Sequence, residues 1–169
     1  MLPTEIKVGH VFRYSYLWHW QHVQGREEGD KDRPCLVLAL VTTLEDGTPI
    51  VRVLPITHTP PARAEEAIEI PPATKRRLEL DDERSWIVLS ESNRFAWPGP
   101  DIRPVDSENG YFGPLPPALF AEVKRRFVEL VRAQRRRPTA GPSKGGMNGV
   151  LSHSLSGRQR LIMLSISPR

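Results

Sequence analysis

The chain has 169 residues and a mass of 19.2 kDa, the size of one ordinary domain with room for a tail. No apolar run approaches the roughly 18 residues that span a bilayer, the opening MLPTEIKVGH has no apolar signal core, and the single cysteine, Cys35, excludes a disulfide framework or a multi-cysteine zinc site; a cytoplasmic protein is expected. The net charge of +4 is divided: residues 1–115 carry 13 Lys+Arg against 18 Asp+Glu, and residues 116–169 carry 11 against 2. A basic end that attracts phosphate polymers thus follows an acidic body, in which any RNA chemistry needs a local cleft.

In chain order, VGHVFRYSYLWHW (8–20) is rich in Val, Phe, Tyr and Trp and reads as a strand. QHVQGREEGDKD (21–32) reads as a polar loop. CLVLALV (35–41) reads as a buried central strand, and Glu45-Asp46-Gly47 as a hairpin turn into the strand PIVRVLPIT (49–57). AIEI (67–70) is a short strand, and Pro71-Pro72 opens a short helix. SWIVLSE (85–91) and DIRPV (101–105) are further strands, joined through WPGP. After Pro116-Pro117, Leu119, Phe120, Val123, Phe127, Leu130 and Val131 share one helical face, and Pro138 requires the helix to end by Arg137. Residues 138–169 hold five Gly, six Ser and three Pro, which predicts a disordered tail around one apolar patch, LIMLSI (161–166). The fold class expected is mainly β with helices (α+β): a small, partly open antiparallel barrel with a C-terminal helix, a domain over 1–137 and a tail over 138–169.

Few constellations carry chemistry. His19 and His22 form an H-x-x-H pair that a strand would point to opposite faces. HExxH, a Cys/His grid, a phosphate loop and a G-x-S-x-G elbow are all absent from the sequence, so neither a metal site nor a cofactor is expected. Cys35 reads as a small buried hydrophobe. The informative stretch is EEGDKDRPCLVL (27–38): an acidic loop runs into Arg33 at the mouth of a buried strand, and the next strand ends at Pro55-Ile56-Thr57-His58. In an antiparallel pair, the start of one strand and the end of the next lie at the same end of the sheet. Arg33 and Thr57 are therefore expected in one cleft, with Glu28 above it. Arginine presents a fork of donors matched to phosphate, threonine a compact donor and acceptor, and a carboxylate a proton acceptor. Taken singly, Arg33 also reads as an ion-pair partner of Asp30 or Asp32, Thr57 as a turn residue and Glu28 as a solvated charge.

Taken together, Gly9-His10-Val11-Phe12, GREEGDKDRPCLVLAL, Pro55-Ile56-Thr57 and WIVLSESNR (86–94) resemble, in consistent order over residues 8–135, the PemK/MazF family of bacterial toxin–antitoxin ribonucleases. The resemblance implies an SH3-like barrel and a homodimer with single-stranded RNA across its groove. It further implies cleavage without metal to a 2′,3′-cyclic phosphate and a 5′-hydroxyl, and an antitoxin protein as partner. The family's catalytic arginine, threonine and loop carboxylate fall on Arg33, Thr57 and Glu28. Departures are the aromatic segment Trp18-His19-Trp20, His22, and His58 after Thr57. Trp18 and Trp20, with Lys31 and His58, are candidate RNA-binding residues, the tryptophans as stacking platforms for unpaired bases or as packing. Two other readings stand beside the ribonuclease: a non-catalytic or gyrase-poisoning module on the same fold, and nucleic-acid binding through the basic arm Arg125–Arg137.

Overall fold

The computed structural model describes residues 1–26, 29–136 and 161–162. The elements are β1 (His10–Ser15), α1 (His19–Val23), β2 (Asp32–Thr43), β3 (Pro49–Thr57), a 3₁₀ turn (Ala64–Glu66), β4 (Ala67–Glu69), α2 (Pro72–Arg77), β5 (Trp86–Val88), β6 (Asn93–Ala96), β7 (Ile102–Arg103), β8 (Gly113–Pro114), α3 (Pro117–Arg135) and β9 (Leu161–Ile162). All strand pairs are antiparallel. The sheet runs β4-β5-β3-β2-β1-β7; β6 and β5 share the outer side of β3, and β8 joins β1. It is open, ending at β4 and β7. The architecture is the expected α+β class, mainly antiparallel sheet with a C-terminal helix.

Side-chain alternation along the central strands feeds two cores, one on each face of the sheet. Val11, Leu36, Leu38, Leu54 and Ile56 lie in the first. Phe12, Cys35, Val37, Val51 and Val53 lie in the second. This double burial explains why Cys35–Leu38 is continuously apolar instead of alternating; the run expected to be buried over 35–41 leaves the core at its end, where Leu40 and Val41 are exposed. The apolar stripe of α3 closes the first core: Val123 is fully buried, with Leu119, Phe120, Phe127 and Leu130 packed beside it. The second core is aromatic, built from Phe12, Tyr14, Tyr16, Phe95, Trp97 and Tyr111, with the Tyr14 and Phe95 rings stacked at 4.8 Å. Cys35 is buried there, and burial pushes its thiol pKa well up, in keeping with a small core hydrophobe.

The first strand is shorter than its composition predicts. It ends at Ser15, so Trp18 and Trp20 do not share a strand face; Trp18 precedes α1 and Trp20 lies in it. The reason is local hydrogen bonding by side chains. Asn93 accepts the Leu17 N–H at 3.3 Å and donates to the Leu17 carbonyl at 3.0 Å, and Gln21 Oε1 accepts the Trp18 N–H at 3.1 Å. These amides are satisfied without a strand partner. His19 and His22 consequently sit on a helix, three positions apart, and no cluster capable of holding a metal occurs among the described residues. β6 and β8 are strands beyond those expected from the sequence. DIRPV yields only Ile102–Arg103, because Pro104 has no N–H to continue a ladder. α3 stops at Arg135, before Pro138. Of the tail, 138–160 and 163–169 lie outside the described residues; Leu161–Ile162, from the apolar patch, pairs with β6 as β9. None of the described helices is long and apolar enough to cross a membrane.

Candidate functional site

The β2–β3 pairing places Cys35 opposite Pro55, Leu36 opposite Leu54 and Val37 opposite Val53. Continued two residues outward, that register sets Arg33 across from Thr57. Both residues line two adjoining clefts at this end of the sheet. The expected convergence of strand start and strand end therefore occurs. Glu28 lies outside the described residues.

The first cleft, about 390 Å³, is walled by Trp18, Trp20, Pro60, Pro61 and Val88, with Arg33, Thr57, Glu66 and Glu91 among its polar residues. Arg33 lies over the Trp18 ring, its Cζ 4.8 Å from the ring centroid, a cation–π contact. Its Nε is buried and has no hydrogen-bond partner among the described residues. The acids offered as its simplest partners are engaged elsewhere: Asp30 pairs with Arg26 and accepts Gln21 Nε2 at 2.6 Å, and Asp32 lies 3.3 Å from Arg103. The strand-edge ion pair is thus replaced by stacking, which leaves guanidinium donors for a ligand. Thr57 Oγ accepts the Thr59 N–H at 3.2 Å, so its own hydroxyl proton is free to donate.

Glu91 is the acid that the sequence did not single out. Its Oε1 accepts the His19 N–H at 2.7 Å, which joins it to the start of α1. Burial raises its pKa above the ordinary glutamate range, against the opposing pull of the His19 hydrogen bond and the Arg33 charge. The signal available was the acid and amide following the strand in WIVLSESNR: Glu91 and Asn93 both hold residues 17–19 in place over Arg33. Gln21, 1% exposed, adds a third tie from α1 to Asp30. Trp20 is 52% exposed on the cleft wall.

The second cleft, about 420 Å³, is lined by Lys31, Asp32, Arg33, Thr57, His58 and Asp81, among others. The imidazole of His58 lies 2.9 Å from Asp81 Oδ2. Asp81 also accepts the ammonium of Lys75 at 2.7 Å, and that lysine is buried. Lys75 and His58 together hold the Asp81 carboxylate below its ordinary range, although burial opposes them. Lys31 is exposed at the rim. All four candidate RNA-binding residues therefore border one or other cleft. Comparison with family models, curated proteins and solved structures finds no match for this chain.

Proposed function

We propose that the protein is a metal-independent endoribonuclease of the PemK/MazF type, acting on single-stranded RNA as the toxin of a toxin–antitoxin pair. The observation that carries this reading is the meeting of Arg33 and Thr57 at a rim shared by two clefts, with an aromatic wall on one side and a proton-accepting carboxylate beside them. Each group has a chemical task. Trp18 and Trp20 receive unpaired bases by stacking. Arg33 and the Thr57 hydroxyl donate to the scissile phosphate and stabilise the charge that develops on it. Among the described residues Glu91 is placed to take the proton of the 2′-hydroxyl, and its upward shift brings it nearer the pH at which a general base works best. The attack closes a 2′,3′-cyclic phosphate and releases a 5′-hydroxyl.

The rest of the family picture belongs to the same proposal: a homodimer with RNA in the groove between copies, an antitoxin that covers it, and an SH3-like barrel as the parent fold. The antiparallel strand order and C-terminal helix support that fold, and the open sheet is its departure. The test is incubation of the purified protein with single-stranded RNA in EDTA. Fragments ending in cyclic phosphate are expected, and Arg33→Ala and Thr57→Ala should each slow their formation by about 10²–10³-fold. RNA left intact by folded protein overturns the reading.

A further inference from the structure

The two clefts differ in their titratable groups. Glu91 borders only the first and His58 only the second, while Arg33 and Thr57 border both. Displacement at phosphorus places the attacking and leaving oxygens roughly in line. A phosphate seated between Arg33 and Thr57 thus has a carboxylate on one side and an imidazole on the other. We propose that His58 is a catalytic residue of the ribonuclease reaction, the general acid that protonates the leaving 5′-oxygen. The inference rests on the ribonuclease reading and adds the second half of its proton transfer.

His58 is held as an acid–base group needs to be. Nε2 lies 3.0 and 2.9 Å from the two Asp81 oxygens. Asp81 is fixed in turn by Lys75 Nζ at 2.7 Å and by the Glu83 N–H at 3.1 Å. Lys75, 5% exposed, also donates to Ser85 Oγ at 2.7 Å and to the Glu83 carbonyl. This is an imidazole oriented by a carboxylate, which is anchored in turn by a buried cation. Nδ1 lies 3.3 Å from Glu83 Oε2, whose side chain is 74% exposed; with Nε2 held by Asp81, Nδ1 is the nitrogen assigned to the leaving oxygen. The charged groups around the ring are Asp81 and Glu83 from the segment after α2, Lys75 from α2, and Lys31, Asp32 and Arg33 across the cleft.

The step balances. The 2′-hydroxyl proton passes to Glu91 and the 2′-oxygen–phosphorus bond forms. The phosphorus–5′-oxygen bond breaks, and the Nδ1 proton passes to the leaving oxygen. Exchange with water then resets both groups.

The test compares wild-type protein, His58→Ala and Asp81→Asn on one RNA oligonucleotide and on the same oligonucleotide carrying sulfur in place of the bridging 5′-oxygen. A thiolate leaves without protonation. His58→Ala should slow cleavage of RNA by about 10²-fold or more and of the sulfur link by no more than a few fold. Asp81→Asn should show the same substrate selectivity with a smaller loss. Equal slowing on both substrates, or unchanged RNA cleavage by His58→Ala, overturns the acid role while leaving the ribonuclease reading intact. Wild-type protein that cuts neither substrate overturns both.

Discussion

Glu91 joins two demands that conflict. Burial raises its pKa, so the folded state binds its proton more tightly than the unfolded chain does. The stabilisation this gives is present at low pH and is lost as pH rises through the unfolded and then the folded pKa. At pH 7 the ionised group is a burden that Glu91→Gln removes, while the amide oxygen can still accept the His19 N–H. Thermal unfolding should therefore show Glu91→Gln more stable than wild type at pH 7 and nearly equal to it at pH 4, with RNA cleavage lost. The tryptophans separate by exposure. Trp20→Ala, at a wall residue 52% exposed, should weaken RNA binding by about 1–3 kcal/mol in a titration while leaving the melting temperature unchanged. Trp18→Ala removes the surface beneath Arg33 and should lower kcat as well.

Among the elements, α1 depends most on others. Asn93 is fully buried and answers both backbone groups of Leu17. Asn93→Ala leaves these without partners, so a loss of about 1–3 kcal/mol is expected in urea unfolding, with slower cleavage because Trp18 is no longer held over Arg33. The same element shows where reading the sequence stops. Arg33 and Thr57 were legible as neighbours because strand boundaries follow from apolar runs and turn residues, and antiparallel pairing does the rest. α1 was not: Tyr16, Trp18 and Trp20 have strand-like chemistry, and the chain leaves the sheet through the side chains of Glu91 and Asn93, more than 70 positions away, together with Gln21. Glu91 was missed for a related reason, since nothing near it in sequence indicates that it turns toward residues 17–19. Lys75 looks like one more solvated cation in KRR, and its burial follows from the placement of Asp81 and Ser85, six and ten positions away.

At the scale of the molecule, one sheet serves two cores, with α3 on one face and the proposed chemistry at the end of the other. Arg33 belongs to the aromatic side because it follows the same alternation as Cys35 and Val37. The irregularities in β2 fall beyond Val37, between Val37 and Ala39 and between Leu40 and Thr42, so the stretch carrying the guanidinium is regular. One residue inserted or deleted between positions 33 and 37 would turn Arg33 toward α3 and away from Thr57. Descendants of this chain can trade one apolar side chain for another of similar size at its buried positions, but the length of that stretch has to be inherited unchanged.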